Sequence, residues 1–212
     1  MVTPALCVVS ERFRFICILI AKNASSTLRE AFGQSRYLSA EMLYAEVDPL
    51  ARDRYFTFAT LREPGSRLLS AYHEVSVRFE HDPTPAPTRR FFLMGDTPER
   101  FKSFLEELDD GRWDPHLRPQ VDYLSGVRVD CFARVETLQQ DVEQVFRTLD
   151  LGQCPFLPAR RSRSEAHEHR GVSRYEVTTD DLDCEAAGQI ARVYADDVRL
   201  YTKVSGSAGI LR

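Results

Sequence analysis

The chain has 212 residues, 43% of them hydrophobic and 28% charged, which is enough for a sizeable apolar core and ordinary for a globular protein. Its formal net charge is −4, so a chain-wide basic field for nucleic acid is excluded and any anion site has to be local. Five cysteines, an odd number without a CxxC pair, give no metal-ligand spacing and read as free thiols in a reducing compartment.

The most apolar N-terminal stretch, Phe13 to Ile20, is too short to span a bilayer and no small-residue cleavage site follows it, so the expectation is a cytoplasmic protein without a membrane span. Leu6 to Ser10 and Phe13 to Ile20 predict two strands in a hairpin turning at Glu11-Arg12, the second a near-continuous apolar run as a central strand is. Ala21 to Thr27 is a loop of small and polar residues. A helix follows it, with Ser25 or Ser26 as N-cap and Leu28, Ala31 and Phe32 on one face. Tyr55 to Leu61 is a strand that Arg62-Glu63-Pro64-Gly65 breaks, and a helix starts near Ser66 with Leu68, Leu69, Tyr72 and Val75 apolar. Strand–loop–helix thus occurs twice, which predicts an α/β sheet.

Residues 80–96, rich in proline and charge, read as a mobile loop. Thr97-Pro98 opens a helix carrying Phe101, Phe104, Leu105 and Leu108 at helical spacing. Trp113 to Gln120 is irregular, Val127 to Ala133 is a further strand, and Thr137 starts a helix with Leu138, Val142, Val145, Phe146 and Leu149 inward. Residues 158–174, an arginine-rich segment, read as a second mobile loop that either closes over a ligand, holds an acidic substrate or is solvated. One long final helix is predicted from Thr179 to Tyr201, with Ile190, Val193, Tyr194 and Val198 apolar. No linker divides the chain, so 1–212 reads as a single domain.

The chemistry centres on anion binding. A loop between a buried strand and a helix N-terminus offers unpaired N–H groups and the positive end of the helix dipole. Lys22 lies in such a loop, and it is one of only three lysines against 25 arginines. The loop lacks glycine and its lysine comes first, which disfavours the P-loop of ATPases and GTPases. Arg62 ends the next strand and Ser70 lies two helical turns on, a second pair able to grip a phosphate. Two such loops on neighbouring strands suit a nucleotide with phosphates at both ends.

Leu6 to Arg29, LCVVSERFRFICILIAKNASSTLR, resembles the N-terminal signature of Golgi-type carbohydrate sulfotransferases, a strand leading to a Pro-Lys-(Thr/Val)-(Ala/Gly)-(Ser/Cys)-Thr loop. Phe56 to Glu74, FTFATLREPGSRLLSAYHE, is similar to that family's Arg-(Asp/Glu)-Pro-x-x-Arg-Leu-x-Ser-Ala-Tyr motif. Asp114 to Gln120 resembles its His-Trp-x-Pro-Gln segment, Phe132 to Leu138 its Gly-Arg-Phe-Glu-(Thr/Asn)-Leu segment, and Tyr194 to Asp197 its Tyr-x-x-Asp-Phe element. The resemblance spans most of the chain. Ala21, Asn23 and Ser26 depart from the loop pattern, and Ala21 in place of proline is expected to loosen the loop.

The resemblance implies a single-domain α/β fold of the P-loop-kinase-like sulfotransferase type, with a mainly parallel central sheet flanked by helices. It implies sulfuryl transfer from 3′-phosphoadenosine 5′-phosphosulfate to a hydroxyl, most readily of a saccharide, with a non-carbohydrate metabolite as the alternative acceptor. Lys22, Asn23, Ala24, Ser25, Ser26 and Thr27 are then expected to hold the 5′-phosphosulfate, and Arg62 and Ser70 the 3′-phosphate. Lys22 also meets the charge that develops at the bridge. No metal is required, nucleic acid is not expected as a partner, and no membrane span is expected. His116 is the first candidate for general base, with His73 next and Glu63 or Glu30 if a carboxylate serves. Arg134 with Glu136 reads as a structural ion pair. Phe91, Phe92 and Trp113 either stack on an acceptor or fill the core. The rival readings are an ATP-dependent small-molecule kinase and a non-catalytic nucleotide-binding protein. Oligomeric state is left open.

Overall fold

The computed structural model describes residues 5–33, 40–81, 90–95, 97–152, 154, 177–178 and 182–206, and at 77–81 the backbone alone. The fold is α/β, and the chain divides into two compact units. The first comprises Met1–Glu63, Pro119–Pro158 and Asp196–Arg212; the second comprises Pro64–Arg118 and Ala159–Ala195.

The first unit is a five-stranded sheet with helices. Strands β1 (Leu6–Ser10), β2 (Phe15–Leu19), β3 (Ala40–Leu43), β4 (Phe56–Leu61) and β5 (Cys131–Arg134) lie in the order β3-β1-β2-β4-β5. β1 pairs antiparallel with both β2 and β3, whereas β2, β4 and β5 are mutually parallel. Four of the five strands therefore share one direction and β1 alone is reversed, as its hairpin with β2 requires. Strand β2 is buried at every position and divides its side chains by the two-residue period. Phe15, Cys17 and Leu19 join a core with helix α1 (Ser25–Gly33) and the Leu138–Thr148 helix, through Leu28, Phe32, Val142, Val145 and Phe146. Ile16, Ile18 and Ile20 join the opposite core with Tyr44, Val47, Tyr123 and Val204. An apolar run without alternation is thus explained by helices on both faces.

The second unit is helical among its described residues. Its core gathers Leu68, Tyr72 and Val75, then Phe101, Phe104 and Leu108, then Ile190 and Tyr194. Phe91 is fully buried there and Phe92 and Trp113 pack against it, with Trp113 Nε1 donating to Leu108 O at 3.2 Å. Thr97 caps the Pro98–Glu106 helix by accepting from Arg100 N.

Several expectations shift. The segment before β4, left without elements, holds β3 and a short helix Pro49–Arg54 capped by Asp48. The helix after β4 begins at Pro64 rather than Ser66, because a first-turn position has no use for the N–H that proline lacks. The last strand is four residues, Cys131–Arg134. The long final helix is two, Cys184–Val193 and Ala195–Gly206: Tyr194 leaves helical geometry at ψ 31 and sends its buried hydroxyl to Leu117 O, 2.6 Å away. Of the two loops read as mobile, 158–174 lies outside the described residues, as do 82–89 and 96 of the other; Arg90–Leu93 is a short 3-10 helix. Among the described residues no helix is long and apolar enough to cross a membrane.

Candidate active site

The Lys22 loop and the Arg62 strand end both lie in the first unit, at the carboxyl ends of the adjacent parallel strands β2 and β4. After β2 the chain leaves toward β3 at one edge of the sheet, and after β4 it returns at β5 on the other side. Such a divergence opens a crevice at the strand ends, where open α/β sheets bind ligands.

The loop is tightly wound. Asn23 N donates to Ile20 O at 3.1 Å, and Lys22 and Ala24 take left-handed backbone angles, φ 67 and φ 60. Neither is glycine, so each conformation costs about 1–2 kcal/mol and persists only where its surroundings hold it. Ala24 O accepts from Leu28 N at 3.0 Å and so closes the first turn of α1. The cap is therefore Ala24, not Ser25 or Ser26. Alanine has no side-chain acceptor, which leaves the first-turn N–H groups of Ser25, Ser26 and Thr27 without partners inside the helix. Lys22, Ala24, Ser25 and Thr27 are half-buried and Ser26 is exposed.

Asn23 faces the other way. It is wholly buried, and its amide nitrogen donates to Thr60 O and to Gln120 Oε1, each at 2.6 Å. Thr60 Oγ1 returns a bond to Asn23 O at 2.8 Å. Gln120 also stands where a neighbouring strand would continue: its Oε1 accepts from Arg62 N and its Nε2 donates to Arg62 O, both at 3.0 Å. Asp197, 2% exposed, accepts from Gln120 N and Val121 N at 2.8 and 3.0 Å. It thereby caps the short helix Gln120–Tyr123, whose own N-cap position is Pro119. Arg62 is itself buried, and its Nη1 donates to Lys22 O at 3.3 Å. The two anion-binding candidates are thus tied to each other directly and through Gln120.

The residue beyond Arg62 is fixed separately. Glu63 N donates to Glu136 Oε1 at 3.0 Å, and Tyr201 donates its hydroxyl to Glu136 Oε2 at 3.0 Å. Burial, then the bond to Glu136, raises the Tyr201 hydroxyl above its ordinary pKa of 10.0. Glu136 is therefore a backbone anchor. The ion pair expected of it with Arg134 is replaced by one with Asp141, whose carboxylate takes Arg134 N at 2.8 Å and Nε at 3.1 Å. Asp141 lies one helical turn beyond Thr137, at the start of the Leu138–Thr148 helix, which puts it within reach of the end of β5.

The remaining candidates, Glu30 in the first unit excepted, lie in the second unit. His116 Nδ1 sits 3.1 Å from Asp114 Oδ1, the oxygen that also accepts from His116 N at 2.8 Å. A carboxylate only accepts, so Nδ1 carries a proton, and in the neutral ring Nε2 is the nitrogen left to accept. Asp114 is buried while the ring is 30% exposed. This is the geometry of an oriented base, and Asp114 is a member that sequence reading passed over. His73 Nε2 faces Val177 O at 3.0 Å and is therefore a donor. Ser70 is half-buried on the Pro64–His81 helix, and Glu30 is exposed.

Sequence reading also gave no role to Gln120, Asp197 or Thr60. The segments 114–120 and 194–197 marked the first two, but their partners lie 58 and 77 residues away along the chain.

A family model described as the sulfotransferase family matches residues 2–203. No match was found among curated proteins or among solved structures. With the match covering nearly the whole chain, both units included, the chain belongs to the sulfotransferase family, whose members transfer sulfuryl groups.

Proposed function

We propose that the chain moves a sulfuryl group from 3′-phosphoadenosine 5′-phosphosulfate to a hydroxyl of a carbohydrate or carbohydrate-containing acceptor. The observation that carries the reading is the pairing of Lys22 and Arg62 at the ends of adjacent parallel strands, with Arg62 Nη1 3.3 Å from Lys22 O. A nucleotide charged at both ends needs two cationic grips, and the proximity of these two residues supports that reading.

The first-turn N–H groups of Ser25, Ser26 and Thr27, with their hydroxyls, take the 5′-phosphate. Lys22 meets the negative charge that grows on the bridging oxygen as the S–O bond of the donor breaks. Arg62, joined by Ser70, takes the 3′-phosphate. Asn23, although in the same loop, contributes through its backbone, since its side-chain donors are committed to Thr60 and Gln120. His116 Nε2 takes the proton of the acceptor hydroxyl as its oxygen bonds to sulfur, and Asp114 keeps the ring in the accepting tautomer. The sugar acceptor rests on the sequence resemblance of residues 114–120. All of this chemistry is positioning, charge stabilisation and one proton transfer.

Calorimetric titration with adenosine 3′,5′-bisphosphate, the desulfated product, tests the reading, with ATP and AMP as controls. Micromolar binding that requires the 3′-phosphate is expected. Arg62→Ala should weaken it about ten- to a hundredfold, the worth of one charge-assisted bond. Equal binding of ATP would sink the assignment.

A further inference from the structure

We infer that Gln120 is a positioning residue of the anion site: it locks the Lys22 loop to the Arg62 strand end and so fixes the separation at which the two grip one nucleotide. The inference rests on the nucleotide reading above but concerns a residue outside the binding groups.

Three observations lead to it. The amide of Gln120 is fully buried and bonds three groups at once: Asn23 Nδ2, Arg62 N and Arg62 O. It therefore touches both candidate phosphate grips without facing solvent. Asn23, the residue it holds in the loop, lies between the two left-handed residues Lys22 and Ala24. Both amide protons of Asn23 are spent on Thr60 and Gln120, while its Oδ1 is buried without a partner. The amide orientation is thus dictated by its donors, and those donors hold the strained turn in place. Gln120 in turn is anchored by the buried carboxylate of Asp197 through backbone N–H groups, so its side chain has a fixed origin. The Ala21 departure, expected to loosen the loop, is accompanied by a side-chain lock two residues on.

The test uses the full chain and two variants. Gln120→Met keeps length and apolar volume and removes all three bonds. Thr60→Val removes only the hydroxyl bond to Asn23 O. Affinity is measured for adenosine 3′,5′-bisphosphate, which engages both grips, and for adenosine 5′-monophosphate, which engages the loop alone, below the melting midpoint of every variant. Gln120→Met should weaken the bisphosphate at least tenfold and the monophosphate less than threefold. Thr60→Val should do the same with a bisphosphate loss of about threefold, and it carries the comparison if Gln120→Met does not fold. Equal weakening of both nucleotides, or a lowered melting point with bisphosphate affinity unchanged, would reduce Gln120 to a packing residue and overturn the inference. If the unaltered protein binds neither nucleotide, the nucleotide reading fails on its own. The lock is then read by amide hydrogen exchange: faster exchange at Arg62 and through 21–27 in Gln120→Met, with the rest of the sheet protected, supports it, and unchanged exchange there refutes it.

Discussion

The network behind the Lys22 loop and the Asp114–His116 pair are both polar constellations beside turns, yet they are built in opposite ways. In the network the side chains of Asn23, Thr60, Gln120 and Asp197 are all buried, and their bonds span 37 to 97 residues of chain. In the pair the partners are two residues apart, and the ring that one of them orients is 30% exposed. The difference separates holding from reacting. A buried group with its bonds closed has nothing to offer a substrate, and its loss costs the fold. A half-exposed ring with one nitrogen committed keeps the other for chemistry. Substitutions on the two sides should therefore diverge in what they damage.

The largest effect is expected on the reacting side. His116→Ala should lower kcat for sulfuryl transfer by about 10²–10⁴, the usual worth of a general base. Affinity for adenosine 3′,5′-bisphosphate should stay within about twofold. Asp114→Asn should follow the same pattern with a smaller loss, about tenfold in kcat, because the ring can then adopt the wrong tautomer. A loss of nucleotide affinity in either variant would erase the contrast.

On the holding side, Asp197→Ala strands the buried N–H of Gln120, worth about 1–3 kcal/mol, and the partly buried N–H of Val121. A lowered urea midpoint is expected, with nucleotide affinity falling in step. A stable variant with lost turnover would move Asp197 to the reacting class.

Buried thiols sharpen the comparison from outside the site. Cys7, Cys17 and Cys131 are buried and free, and burial above all lifts them from the ordinary 9.0: Cys7 to about 12, Cys131 to about 11, and Cys17 further still. Above pH 9 the unfolded chain loses these protons while the folded chain keeps them, so the folded state binds more protons and stability falls as pH rises. The slope is about 1.4 kcal/mol per pH unit for each thiol, until the folded thiol itself ionises. Urea midpoints at pH 8 and pH 10 measure the loss, which should be smaller in Cys131→Ala; an equal loss would mean that other groups carry it.

The smallest effect is reserved for Tyr201→Phe, which removes one half-exposed bond to Glu136. A change of about 1 kcal/mol or less in stability is expected, and nucleotide affinity should fall by less than about fivefold through Glu63.

Much of this was legible along the chain. Uninterrupted apolar character in Phe15–Leu19 marked a strand covered on both faces, because the two-residue period leaves no polar side to expose. Phe101, Phe104, Leu105 and Leu108 fell on one helical face and are all in the core. Lys22 and Arg62 stood out because cations at strand ends followed by helices are local patterns. Local pattern failed where a contact had to be chosen among distant partners. Arg134 had Glu136 two residues away, but helix geometry brought Asp141 to it instead. The final helix looked continuous in periodicity, but Tyr194 was needed at Leu117 and Asp197 at Gln120. Asn23 looked like a ligand-facing loop residue until the sheet placed Thr60 and Gln120 against its amide. The sequence by itself determined four of the five strands, most of the helices and the family, and it singled out the two loops proposed to bind anions. Only the tertiary structure decided which polar groups hold those loops, because a hydrogen bond forms by spatial proximity and direction, and sequence separations of 37 to 97 residues carry neither.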